Sequence, residues 1–137
     1  MNASILVVDE DPEIREAIKS VLRREGCSVT CAGNGYLALK ALQSKSFDTV
    51  ITDIRMPDFS GLEFLERIRD IDEQVEIIVL SGFTTIQNVI KSLRDVGAAD
   101  YLLKPLDNMD ELVSAAKMAI IKRNLRKKTV DEKARVL

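Results

Sequence analysis

Apolar and β-branched residues gather into five short runs in this chain, separated by longer stretches in which apolar positions recur every three or four residues. The runs are Ile5–Val8, Ser28–Cys31, Thr49–Thr52, Glu76–Leu80 and Tyr101–Leu103, the length and composition of buried strands. Between them, Ile14, Ile18, Val21 and Leu22 share one helical face, as do Leu37, Leu39, Ala41 and Leu42 more loosely, then Leu62, Leu65 and Ile68, and then Ile86, Val89, Ile90 and Leu93. A fifth helical stretch runs from Asn108 through Ile121. Asp11 before Pro12 is an N-cap followed by a first helical position, Ser60-Gly61 opens the third helix, and Gly26 and Gly97 sit where helices should stop.

Strands alternating with helices imply an α/β fold, a doubly wound (βα)5 sandwich whose parallel sheet is covered on both faces. In open sheets of this kind the ligand site lies beyond the carboxyl ends of the strands, where the strand order reverses. For the order 2-1-3-4-5 that point falls between the first and third strands. The residues just past the strands are Asp9-Glu10-Asp11, Asp53, Ser81 and Lys104-Pro105. Neighbouring strands lie about 4.8 Å apart, so these side chains can share one ion or one phosphate. Asp11 needs only itself to cap a helix, and capping does not explain Asp53 at the end of a neighbouring buried strand. Carboxylates gathered without a cation repel one another; a hard divalent ion such as Mg²⁺ suits one or two carboxylates with water and phosphate oxygens.

Composition narrows the chemistry. The 137 residues are 46% hydrophobic and 31% charged with a net charge of -2, which fits one core and argues against a nucleic-acid or disordered role. The charge is uneven: residues 1–121 carry a net -7 and residues 122–137 a net +5. No histidine is present, so a histidine base, ligand or phosphohistidine on this chain is excluded. Cys27 and Cys31 flank a short strand and read as small hydrophobes in a reducing compartment rather than a disulfide or metal pair. The start, Met1-Asn2-Ala3-Ser4, lacks the basic and apolar regions of a secretory signal, and no apolar run approaches membrane-spanning length, so a cytoplasmic location is expected.

The segments "ILVVDEDPEIR", "DTVITDIRMPDFSGLEFL", "VEIIVLSGF" and "GAADYLLKPLD" together resemble the successive signature blocks of the flavodoxin-like receiver domains of two-component response regulators, over residues 4 to about 121. The resemblance implies a signalling phosphoacceptor rather than a turnover enzyme. It makes Asp53 the phosphoacceptor, and Asp9, Glu10 and Asp53, with the Arg55 backbone carbonyl, the Mg²⁺ ligands. It also makes Lys104 the phosphate-contacting lysine, Ser81 the switch hydroxyl, Tyr101 the switch aromatic, and Lys104-Pro105 a cis peptide. Glu10 stands where the family more often has Asp, and Ser81 where it often has Thr. The implied donor is a sensor histidine kinase or phosphotransfer protein, and the implied output surface is the fourth helix, fifth strand and fifth helix, which reaches an output domain or a second copy of the chain.

Two rivals are weaker on the residues. An interaction module of the same fold that works without phosphorylation is expected to have lost Asp53, Lys104 or an acidic-pair member, and all are present. An aspartate-nucleophile phosphatase needs a second Asp two residues beyond the nucleophile, where Arg55 stands. The division expected is residues 1–121 as the receiver and 122–137 as a basic helical extension, too short for a DNA-recognition unit and without a C-cap, as if leading into an output domain. Val130, Ala134 and Leu137 lie at the spacing of an apolar seam with Arg123 and Arg126 at the preceding positions, so the extension is either a linker that pairs in a dimer or a solvated basic tail.

Overall fold

The computed structural model describes residues 1–59 and 62–136, with the side chains of all of these but Phe83 and Val136. The expected helix opening at Ser60-Gly61 and the seam position Leu137 lie outside the described residues. Five strands, β1 (Ser4–Val8), β2 (Ser28–Ala32), β3 (Thr49–Thr52), β4 (Glu76–Gly82) and β5 (Asp100–Lys104), alternate with α1 (Pro12–Arg24), α2 (Gly35–Ser44), α3 (Glu63–Ile71), α4 (Phe83–Asp95) and α5 (Met109–Val136). All strand pairs are parallel, in the order β2-β1-β3-β4-β5. This is the doubly wound architecture and strand order expected from the sequence.

The near-continuous apolar runs are explained by burial on both faces. Alternate residues point to opposite sides of the sheet. Leu6, Val8, Val50, Ile77 and Val79 pack with Phe64, Leu65, Ile68, Ile86 and Leu93 of α3 and α4. Ile5, Val7, Ile51, Ile78 and Leu80 pack with Ile18, Leu22, Leu112, Ala116 and Ala119 of α1 and α5. Cys27 joins this second layer; both thiols are free, and burial pushes each above the ordinary thiol range.

Asp11 caps α1 by accepting from Glu13 N–H, with Pro12 at the first helical position. Gly26 and Gly97 follow α1 and α4 with φ of +94° and +71°, the left-handed backbone that a side chain would resist. The sequence placed the end of β4 at Leu80, but the strand continues through Ser81 and Gly82, because Leu103 and Lys104 of β5 are there to pair with them. The fifth helix crosses residue 121 without interruption and reaches Val136. Among the described residues no helix is long and apolar enough to cross a membrane.

Candidate functional site

Register brings the site together. Val8 pairs with Thr52, so Asp9 and Asp53, the next residues on each strand, leave the sheet side by side. Each is still held by the ladder: Asp9 N–H donates to Ala32 O and Asp53 N–H to Val8 O. Both are buried, at 3% and 8% exposure. Across β4, fully buried Ser81 reaches the same crevice, and Lys104 enters it from the end of β5.

The Asp53 carboxylate has a donor on each oxygen. Its Oδ1 accepts from Ser81 Oγ at 2.7 Å and from Arg55 N–H at 2.9 Å, while its Oδ2 accepts from Lys104 Nζ at 2.7 Å. The same ammonium donates to Asp9 Oδ2 at 2.6 Å, and Asp9 Oδ1 accepts from Asp11 N–H at 3.0 Å. Lys104 is thus the bridge between two buried carboxylates. Burial by itself lowers its pKa, but the hydrogen bonds to Asp53 and Asp9, with their charges, outweigh it and hold the ammonium above the usual lysine range. The peptide between Lys104 and Pro105 is cis.

Of the expected site residues, Asp9, Asp53, Ser81 and Lys104 converge. Glu10 is exposed, and among the described residues no three carboxylate, imidazole or thiolate side chains gather closely enough to hold a metal ion. Two buried carboxylates sharing one ammonium nevertheless leave a net negative charge on hard oxygen donors, and this fits Mg²⁺, which keeps several waters and takes only one or two carboxylates. Tyr101 is 41% exposed on β5. Ser81 Oγ is already bonded to the bare Asp53 carboxylate.

Two residues given no role from the sequence hold the loops around the crevice. Arg15 Nη1 donates to Asp9 O at 2.6 Å, and the Asp58 carboxylate accepts from Gly35 N–H at 3.0 Å and Tyr36 N–H at 2.9 Å. The sequence offered only weak signals for them: Arg15 lies on the polar side of an amphipathic helix, and Asp58 reads as an ordinary turn residue. An open groove of about 490 Å³ beside Lys104 is lined by Ile14, Ala17, Leu80, Pro105, Leu106 and Met109, among others.

Comparison with known proteins agrees with this geometry. The response regulator receiver domain model matches residues 5–117. A crystal structure of a response regulator receiver domain protein from Clostridium thermocellum is 34% identical and superimposes with a TM-score of 0.81, covering 90% of this chain and 98% of that one. The response regulator protein TrrA from Thermotoga maritima, solved in complex with Mg(2+)-BeF, is 38% identical, with a TM-score of 0.75 over 85% of this chain and 98% of that one. The transcriptional regulatory protein ZraR of Klebsiella oxytoca is 36% identical over 75% of this chain but only 23% of its own length. The chain spans about a quarter of the length of the curated relatives it matches.

Proposed function

The chain belongs to the response regulator receiver domain family, and from that premise we propose that it takes a phosphoryl group from a partner histidine kinase or phosphotransfer protein onto Asp53 and passes the change to an output partner or domain. The observation that carries this reading is the Asp53 carboxylate, fixed at a strand end by Ser81, Arg55 N–H and Lys104. Asp53 attacks phosphorus, the bond from phosphorus to the donor breaks, and the donor nitrogen or oxygen leaves with the electron pair. Lys104 moves from bridging two carboxylates to neutralising the oxygens of the transferring group, and positioning supplies most of the remaining acceleration. Asp9, Asp53 and the Arg55 carbonyl, with Glu10 beside them, would hold Mg²⁺, which would supply further neutralisation of those oxygens. The chain acts as a signalling phosphoacceptor that promotes only its own phosphorylation and slow dephosphorylation.

Phosphorylation adds between one and two negative charges to the crevice. Ser81 Oγ then donates to a phosphoryl oxygen in place of Asp53 Oδ1, drawing the end of β4 with it. Tyr101, half out in solvent, turns inward against the shifted strand and remodels the surface of α4, β5 and α5. That surface and the outer side of α5 expose Tyr101, Leu103, Met118, Ile121 and Leu125, apolar groups suited to a second copy of the chain or to an output domain. We keep residues 1–121 as the receiver and 122–137 as the connection that leads outward.

Incubation with acetyl phosphate and Mg²⁺, followed by intact-mass measurement, tests the reading. One added phosphoryl group is expected on the wild type and none on Asp53→Ala. An unchanged wild-type mass under conditions that label other receivers would leave a phosphorylation-independent interaction module in its place.

A further inference from the structure

The start of α2 carries no candidate ligand, yet both loops that do carry them are tied to it. The β1–α1 loop is held through Arg15, whose guanidinium donates to the Asp9 carbonyl and lies against Gly33; a Cβ at position 33 would sit 3.2 Å from Arg15 Nη1. The β3–α3 loop is held through Asp58, whose two oxygens take the Gly35 and Tyr36 N–H groups. Leu37 N–H goes to Asn34 Oδ1. The first three donors of the helix, which have no partners within it, are therefore all used, and two of them by a residue more than twenty positions along the chain. Phe59 lies directly on Gly35, where a Cβ would overlap its ring, and stacks obliquely on Phe64 at 5.9 Å.

The near end of the β3–α3 loop is anchored as well. Ile54 and Met56 are buried, and Arg55 N–H is bonded to Asp53 Oδ1. The segment that carries the Arg55 carbonyl is thus fixed at both ends, by core packing on one side and by Asp58 and Phe59 on the other.

We propose that Arg15 and Asp58 are positioning residues for the cation site, which set the spacing between the Asp9 and Arg55 backbones by tying both loops to the Gly33–Tyr36 segment. Neither touches the reacting atoms. Mg²⁺ demands near-octahedral oxygen geometry, so play in either loop is felt as lost affinity. Partners that orient ligands in this way are typically worth 10–100-fold in metal affinity. The inference rests on the functional reading above, because it takes Asp9, Asp53 and the Arg55 carbonyl as ligands.

The test is calorimetric titration of the full chain with MgCl₂, alongside thermal melting without Mg²⁺. Arg15→Ala and Asp58→Ala are each expected to weaken Mg²⁺ binding roughly tenfold, and Asp58→Asn, which keeps one acceptor oxygen at the helix end, to recover part of it. Gly35→Ala gives a second route that does not depend on deleting a hydrogen-bonding group: its methyl group displaces Phe59 while favouring the helix, and the same loss of affinity is expected. A merely structural role would lower the melting temperature and leave the dissociation constant of the folded protein unchanged. Wild-type affinity in Arg15→Ala, Asp58→Ala and Gly35→Ala, with Asp53→Asn weakened in parallel, would overturn the inference. Binding that is indifferent to Asp53→Asn would overturn the functional reading beneath it.

Discussion

Replacing Arg126 by Ala is expected to destabilise the fold from a residue that the sequence placed outside the receiver. Glu76 opens β4 on the face covered by α5, and its side chain is 3% exposed. Its Oε1 is in ion-pair contact with Arg126 Nη2 but takes no regular hydrogen bond. Thr49, its register partner on β3, has a buried hydroxyl without a partner among the described residues, and so gives no visible relief. Removing one member of a buried pair costs about 3–5 kcal/mol, because the other charge is left uncompensated. Arg126 is 44% exposed, so water can follow where its guanidinium was, and a smaller cost of about 2–3 kcal/mol is expected. That is a large share of the roughly 5–15 kcal/mol that holds a domain together, and corresponds to a fall of about 6–12 °C in melting temperature.

Urea denaturation at neutral pH, followed by circular dichroism, reads the effect as a lower midpoint at constant slope. Glu76→Gln in the Arg126→Ala background removes the stranded charge and should recover much of the loss, and a chain ended at Ile121 should lose about as much as Arg126→Ala. A midpoint for Arg126→Ala equal to wild type would show that Glu76 is satisfied elsewhere and refute the reasoning.

Lys104→Met should change the pH dependence of stability. The folded Lys104 pKa is raised above its ordinary 10.5, so its contribution is fully present below that value and is lost as pH rises through the folded value. Alkaline melts of wild type should show this loss and those of the variant should not. At neutral pH the variant faces Asp9 with Asp53 unbridged, so added Mg²⁺ should stabilise it more than wild type; equal stabilisation would count against the shared site. Arg55 is exposed beside the crevice, and Arg55→Ala is expected to alter the dephosphorylation rate; an identical decay of the phosphorylated protein would discard that role. Glu at both Ile121 and Leu125 should abolish any mass increase that beryllofluoride produces in light scattering, and an unaffected increase would move the contact off the outer side of α5.

The fold was legible because strands buried on both faces must be apolar throughout, and the ends of such strands are where charge is out of place. That is why Asp9, Asp53 and Lys104 stood out. Ser81 was placed just past the fourth strand because Ser and Gly have low strand propensity, whereas in the structure β5 supplies the pairing that overrides it. Arg15 and Asp58 were not legible, since each acts on backbone groups, and backbone groups leave no trace in residue identity. Glu76 carried a signal that went unused: a lone charge in a strand meant to be buried requires a partner.

On the fifth helix a single spacing contains both apolar and basic positions. Val130 and Ala134 continue a spacing whose preceding positions are Arg123 and Arg126, and in the sequence those two arginines count against an apolar seam. In the structure Arg126 meets Glu76 and Arg123 has a buried Nε, so this side of the helix faces its own domain. An α-helix turns about 100° per residue, which puts Met118, Ile121 and Leu125 roughly 80–140° round from Arg126, and all three are exposed. The two arginines turn this stretch of α5 toward its own domain, whereas Val130 and Ala134, further along the same spacing, are exposed. A helix held in that way can carry a displacement of β4 or β5 outward as a rigid arm, which a frayed basic tail cannot do.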